Sequence, residues 1–117
     1  MTAEDRLQIT VADYLDRCLP NDAVYFAIPN GGSRNKIEAA KLKRMGVRAG
    51  VPDLCIIWRR RAIFIELKTA KGRVSPEQNH RMEMLTIAGA VVTVCRSLDE
   101  VADFLGQIMP MRGKVGA

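Results

Sequence analysis

Residues 50–68 read GVPDLCIIWRRRAIFIELK, two apolar runs separated by three arginines. The runs Leu54 to Trp58 and Ala62 to Leu67 are rich in β-branched and aromatic residues, which favours two strands joined by a turn at 59–61. Both arms are nearly continuously apolar, which is typical of central strands with helices above and below. The stretch therefore predicts a β-hairpin at the centre of a sheet.

Charged residues stand at the open end of this hairpin. If the turn centres on Arg60, Asp53 falls opposite Glu66 or Leu67, and opposed Cβ atoms in an antiparallel pair lie ~5 Å apart. Two carboxylates at that range repel unless a cation lies between them, and Mg²⁺ prefers such oxygen ligands. Lys68 is two residues after Glu66, so both project from one face. These residues indicate a metal site; a Glu66–Lys68 ion pair with Asp53 capping a turn is the alternative.

The other predicted elements alternate between helix and strand. They are a helix over 3–19, a strand over 23–28, a short exposed helix over 36–45, a helix over 76–88, a strand over 90–95 and a last helix from Ser97. A strand, a helix and a strand follow one another after the turn, which predicts a right-handed crossover between parallel strands. We therefore expect one α/β domain over 1–110, a mixed β-sheet with a central hairpin flanked by helices, and a flexible tail over 111–117.

The composition excludes several kinds of protein. No apolar run approaches the ~20 residues of a membrane span, and the acidic start at 1–5 is unlike a signal peptide, so a cytoplasmic protein is expected. Cys18, Cys55 and Cys95 lie far apart within apolar patterns, which indicates buried free thiols. With His80 as the one histidine, neither a structural zinc site nor a histidine-metal nuclease site can be assembled.

The net charge of +5 admits a polyanionic partner, and its distribution says more than its total. Basic residues concentrate at 34–48 and at 59–61, where they are candidate phosphate contacts. The alternative for each cluster is a solvated helix face or a charged turn. The segment 30–34 follows a predicted strand, and it is either a substrate-binding loop or a tight turn.

Three segments together resemble the VRR-NUC family of PD-(D/E)XK nucleases, in particular its phage-type stand-alone members. They are Gly50-Val51-Pro52-Asp53-Leu54, Phe64-Ile65-Glu66-Leu67-Lys68 and Gly72-Arg73-Val74-Ser75-Pro76-Glu77-Gln78. The resemblance covers nearly the whole chain, from Glu4 to the last helix. It implies a restriction-endonuclease-like core in the cytoplasm of a bacterium or a phage-infected host cell.

The resemblance also implies roles for individual residues at the site. Asp53 and Glu66 would hold Mg²⁺ or Mn²⁺ together with the backbone carbonyl of Leu67, and Lys68 would be the catalytic lysine. Glu4 is similar to a first-helix glutamate that approaches the metal. Its position one turn before an apolar stripe predicts an inward carboxylate, and an ordinary first-turn glutamate is the alternative.

The remaining residues carried over by the resemblance lie outside the two strands. Gln78 is similar to a glutamine of the family's catalytic set, and it also completes a capping box with Ser75, so both roles can hold. The expected substrate contacts share a polar or flexible character and lie in or beside the loops. They are Asn30, Gly31, Arg34, Lys36 and Arg73.

The implied activity is metal-dependent hydrolysis of DNA phosphodiester bonds. Stand-alone members resemble Holliday junction resolvases of replication and repair, so a homodimer acting on branched DNA is expected. A catalytically weak DNA-binding module of the same fold is the alternative. A sequence-specific restriction-type enzyme needs base-reading elements, for which 117 residues leave little room.

Overall fold

The structure is a computed structural model that describes residues 1–29 and 35–113. Within those ranges it contains four helices and four strands. The helices are α1 (Ala3–Cys18), α2 (Lys36–Arg44), α3 (Pro76–Ile87) and α4 (Leu98–Gly106). The strands are β1 (Ala23–Ala27), β2 (Leu54–Trp58), β3 (Arg61–Leu67) and β4 (Val91–Cys95). The predicted α/β class and every predicted element are confirmed, with bounds that differ by one or two residues.

The described strands form one sheet in the order β1-β2-β3-β4. β1 and β2 are antiparallel, β2 and β3 form the predicted central hairpin, and β3 and β4 are parallel, as the strand-helix-strand order predicts. The hairpin turn consists of Arg59 and Arg60 alone, both at positive φ, so β3 begins one residue earlier than expected. Trp58 pairs with Arg61 and Leu54 with Ile65, and the same register carried one step further sets Asp53 opposite Glu66.

One face of the sheet packs on α1 and α4 to form the core. Side chains at alternate positions of the central strands point to this face, as the period of two requires. The fully buried residues at its centre are Val11 and Leu15 of α1, Val101 and Leu105 of α4, and Ile56, Ile63 and Ile65 of the hairpin. α1 begins at a capping box in which Thr2 and Asp5 exchange hydrogen bonds of 3.0 Å, and this fixes the first turn beside the open end of the hairpin.

The other face of the sheet is only partly covered. α3 lies against it, since its Gln78 contacts Glu66, and it packs on β4. Towards β1 the face is open, with Val24 63%, Phe26 49% and Ile57 40% exposed. The expectation that helices cover both faces of the hairpin is therefore right for one face and wrong for the β1 side of the other.

Further observations concern the cysteines, the C-terminal segment and the helices. Cys18, Cys55 and Cys95 are buried free thiols, as predicted. Arg112, in the predicted tail, donates its backbone N–H to the Cys18 carbonyl at 2.6 Å and its Nε to the Leu19 carbonyl at 2.7 Å. None of the nine residues of α2 is buried. Within residues 1–29 and 35–113, no helix has the length and apolar character needed to cross a bilayer.

Candidate active site

A cleft of about 540 Å³ opens where β2 begins and β3 ends. The first turns of α1 and α3, the loop 49–53 and the end of β3 form its walls. Among the described residues, its charged lining consists of five carboxylates and one ammonium group, which are Glu4, Asp5, Asp53, Glu66, Glu77 and Lys68. Such a cleft repels an anion unless a cation is present.

Asp53 and Glu66 meet at the floor of this cleft. The Asp53 Oδ2 atom accepts a hydrogen bond of 2.8 Å from the Leu67 backbone N–H, and Glu66 is 2% exposed. Burial, and next the negative charge of Asp53, raise the pKa of Glu66 to about 7. Burial also raises the pKa of Asp53, against the opposing effect of the Leu67 N–H. Both carboxylates therefore lack sufficient compensating charge from the protein itself.

The Leu67 carbonyl is a third oxygen available at this floor. In an antiparallel pair, the N–H and C=O of a residue face the same neighbouring strand. Because the Leu67 N–H points to Asp53, its carbonyl faces the same side. The residue in register with Leu67 is Pro52, since Leu54 pairs with Ile65, and proline has no N–H to donate. The neighbouring strand therefore leaves this carbonyl oxygen free to bind another group.

Lys68 lies beside the two carboxylates, on the face that strand alternation predicts. Its Nζ atom is 3.7 Å from Glu66 Oε2 and 4.0 Å from Glu4 Oε1, and 11% of its side chain is exposed. The Glu66–Lys68 ion pair that the sequence offered as part of an alternative to a metal site is present, whereas Asp53 bonds across the hairpin to Leu67 and does not cap a turn. Both contacts occur inside the acidic cleft, so they do not exclude a metal site.

Gln78 completes the predicted capping box and also contacts Glu66. Its Oε1 atom accepts a hydrogen bond of 2.9 Å from the Ser75 N–H, which completes the capping box of α3. Its Nε2 atom donates to Glu66 Oε2 at 3.1 Å. The start of α3 therefore orients one oxygen of Glu66.

Glu4 reaches the cleft from its rim. Its side chain is 50% exposed, so the expected inward carboxylate is not found. The first turn of α1 is held by the Thr2 cap at the cleft mouth, and there Glu4 stays in contact with water while it faces Lys68.

Two of the five expected substrate contacts lie among the described residues, and neither is in the cleft. Asn30, Gly31 and Arg34 lie outside the residues that the structure describes. Lys36 is the first residue of α2 and is exposed, and Arg73 is exposed in the loop before α3. Neither of these two lines the cleft.

The donor set fits a hard divalent cation. Among residues 1–29 and 35–113, no three His, Cys, Asp or Glu side chains are close enough to hold an ion by themselves. Mg²⁺ does not require that, because it commonly uses one or two carboxylates together with water and phosphate oxygens. Asp53, Glu66 and the Leu67 carbonyl supply such a partial shell.

Two residues that support the site were not singled out from the sequence. Gly50 has φ +80°, and a Cβ there would lie 2.5 Å from the Glu77 carbonyl oxygen. Its lack of a side chain lets the loop carrying Asp53 touch the start of α3. Arg96 donates its Nη1 to the carbonyls of Thr69 at 2.8 Å and Gly72 at 2.6 Å, which anchors the loop after Lys68. The position of Gly50 within the quoted motif was the one sequence feature that could have indicated its role. No sequence feature indicated the role of Arg96.

Gly50→Ala is expected to lower the free energy of unfolding by about 2–4 kcal/mol, through the left-handed backbone and the clash with α3 together. Gly46→Ala is the matched control, because Gly46 has φ +100° with nothing within 4 Å of an added Cβ. It should cost only about 1–2 kcal/mol. Urea unfolding of both variants measures the difference, and equal losses would show that the close approach of Gly50 to α3 contributes nothing.

Metal-free protein should lose stability as the pH rises from about 4.5 to 7. The native Glu66 holds its proton up to about pH 7, whereas the unfolded carboxyl releases it near 4.5, so the folded state binds more protons in this window. Glu66→Gln should remove most of this slope and be about 2–3 kcal/mol more stable than wild type at pH 8. Urea unfolding in a chelator measures this. Glu77→Gln, at an exposed carboxylate of the same cleft, should keep the slope, and a wild type whose stability rises over the window contradicts the prediction.

The same fold occurs in proteins of known structure. Residues 6–99 match the family model described as VRR-NUC domain. A solved structure named "VRR_NUC domain protein" has a TM-score of 0.77 and 31% identity, over 93% of this chain and 89% of that one. Another, named "VRR_NUC domain", has a TM-score of 0.66 and 22% identity, over 93% and 100% of the two chains, and it supports the fold alone. No curated protein matches the chain.

Proposed function

The chain belongs to the VRR-NUC domain family, and on that premise we propose that it is a divalent-metal-dependent endonuclease that hydrolyses DNA. The observation that carries the proposal is the cluster of Asp53, Glu66 and Lys68 in a cleft with an excess of carboxylates. The buried Glu66 and the half-buried Asp53, both with raised pKa values, form an unstable arrangement in a protein that binds no cation. A phosphodiester anion can enter the same cleft only after that excess is neutralised.

Asp53, Glu66 and the Leu67 carbonyl are the groups that would hold Mg²⁺ or Mn²⁺. The chemistry that such an ion supplies when bound is neutralisation of phosphate charge and acidification of water. The chain's own task is to keep these three oxygens in place. The Leu67 N–H holds one oxygen of Asp53, and the Gln78 amide holds one of Glu66. The other oxygen of each carboxylate is left for the ion, and Glu4 would act from the rim through water.

Lys68 would act on the phosphate or on the attacking water. Its ammonium group, mostly enclosed and 3.7 Å from Glu66, is the one cation that lines the cleft among residues 1–29 and 35–113. A fixed positive charge in such a water-poor site stabilises the negative charge that develops on phosphate oxygens. Lys68 would contact the substrate phosphate with the same ammonium group that pairs with Glu66 in the metal-free cleft.

Asp53→Asn and Lys68→Met should each reduce cleavage of supercoiled plasmid and four-way junction DNA by about 10²-fold or more, without loss of the fold. Asparagine keeps an acceptor for the Leu67 N–H, so its effect reports on charge rather than on collapse of the loop. Gel assays with Mg²⁺ or with a chelator measure the reaction.

Asp103→Asn and Lys71→Met, at exposed positions away from the cleft lining, are the matched controls and should cut like wild type. Cleavage that persists in Asp53→Asn or in the chelator would remove the metal-nuclease assignment. Binding of DNA without any metal-dependent cleavage would instead favour a DNA-binding module of the same fold.

We propose further that the enzyme acts on branched DNA as a homodimer. Two active sites related by two-fold symmetry suit a four-way junction, whose resolution needs paired cuts. A second copy would cover the open sheet face, where Val24 and Ile57 are register partners and Phe26 follows two residues along β1. Exposed apolar clusters of this kind commonly mark interfaces. The patch is uncharged, so two copies can meet on it without repulsion.

Phe26→Asp should convert a dimer, of twice the 13.0 kDa chain mass, into a monomer, because the interface would bury two unpaired carboxylates. Light scattering coupled to gel filtration measures the mass. Ile87→Asp is the control, since Ile87 is 80% exposed on α3, away from the β1 side, and should leave the mass unchanged. A wild type of 13.0 kDa at micromolar concentration contradicts the dimer.

A further inference from the structure

The hairpin carries a second charged feature at the end opposite the cleft. The two turn residues and the first residue of β3 are all arginines, and we call Arg59–Arg61 the arginine turn. All three residues are exposed. The loop from α1 to β1 lies at the same end, since Ala23 pairs with Trp58. This pole of the molecule is basic, whereas the cleft at the other end is acidic.

Contacts with the α1–β1 loop hold the base of the turn. Asp22 accepts hydrogen bonds from Trp58 Nε1 at 3.0 Å and from Arg59 Nε at 3.2 Å. The Arg59 guanidinium also stacks 4.7 Å from the centroid of the Trp58 ring. Asp22 thereby neutralises the charge of Arg59 and holds the base of the turn that carries Arg60 and Arg61.

The two following arginines carry unsatisfied charge. Within residues 1–29 and 35–113, no side-chain hydrogen bond or ion pair involves the guanidinium of Arg60 or Arg61. Arg60 also lies in the left-handed region with φ 68°, at a turn position where glycine or asparagine is usual. Folding alone favours neither this residue at this φ nor two adjacent unpaired cations, so the arrangement indicates an external anion.

The described lining of the cleft is unsuited to the initial attraction of DNA, because it carries five carboxylates against one lysine. Sequence-independent affinity for DNA comes from Lys and Arg that neutralise phosphates and release counterions. Guanidinium groups match phosphate oxygens in a planar two-point contact. Five strand steps from Asp53 to Trp58 at ~3.3 Å each span roughly 17 Å, and the turn adds a few ångströms, so Arg60 lies roughly 20 Å from the site. That span equals about six base pairs of duplex at ~3.4 Å each.

We propose that the arginine turn is a second DNA contact, at which Arg60 and Arg61 bind backbone phosphates of a duplex arm about six base pairs from the bond that is cut. The inference rests on the proposed function and adds to it a place where DNA is held before the metal site acts. In this arrangement one end of the hairpin provides affinity for DNA and the opposite end provides catalysis.

The test is the double variant Arg60→Gly/Arg61→Thr, whose replacements suit a left-handed turn position and a strand position respectively. Fluorescence anisotropy with a labelled four-way junction of 15-base-pair arms, in a chelator and at 50–200 mM NaCl, measures binding without cleavage. The affinity at 100 mM NaCl should fall about 10- to 100-fold, and the slope of log K against log salt should shrink by about two. The melting temperature should not fall, because the glycine relieves the turn.

Two comparisons make the result specific. Thr10→Glu/Thr86→Glu lowers the net charge from +5 by the same two units at exposed helix positions and should leave the salt slope unchanged. Arg60→Lys/Arg61→Lys keeps both charges and should retain most of the affinity.

Two outcomes overturn the inference. The double variant binds the junction like wild type, or the charge-matched control loses as much affinity. If wild type still cuts DNA in the first case, only the second contact is lost and the proposed nuclease stands. If wild type neither binds nor cuts any substrate, both proposals fail.

Discussion

The register of the β2–β3 hairpin is the constraint on which the candidate site depends. A two-residue turn pairs Trp58 with Arg61, and the same alignment at the far end sets Asp53 opposite Glu66. A slip of one residue would turn Glu66 into the core, and it would expose Ile63 and Ile65 at the same time. Burial of those isoleucines stabilises the fold by several kcal/mol. This gain is larger than the free-energy cost of the repulsion between two partly compensated carboxylates. The apolar core thus holds together two acids that would otherwise separate.

A shell of hydrogen bonds makes that arrangement tolerable. The Leu67 N–H and the Gln78 amide each satisfy one carboxylate, and Lys68 supplies partial charge compensation. Within the described residues, no buried side-chain nitrogen or oxygen lacks a hydrogen-bond partner. Gly50 completes the shell by letting the Asp53 loop touch α3. The site is therefore pre-formed. What it lacks is positive charge to compensate its carboxylates, and a divalent cation would supply that charge.

Local patterns predicted most of this structure, because the signals involved are short in sequence. The hairpin, the Ser75–Gln78 capping box and the parallel β3–β4 pair follow from turn chemistry, capping residues and the order of elements. Strand alternation alone placed Lys68 beside Glu66. The failures concern contacts between distant segments. Arg96 reaches back 24 and 27 residues to two carbonyls, and no local pattern encodes such a contact. The open sheet face was missed for a related reason: an apolar strand indicates burial without indicating whether the cover belongs to the same chain.

The distribution of charge explains why the net charge is a poor guide to where the substrate binds. A chain of +5 attracts a polyanion as a whole, yet the cleft at the start of β2 and the end of β3 carries a local excess of carboxylates. Attraction and chemistry must then be separated in space. The hairpin provides that separation, because its open end gathers acids while its turn gathers arginines. A metal ion changes only the acidic end, so in the proposed enzyme it would govern the chemical step far more than the first encounter with DNA. The same two strands that force the carboxylates together also hold the arginines at a fixed distance from them, so one register sets both the site and its spacing from the second contact.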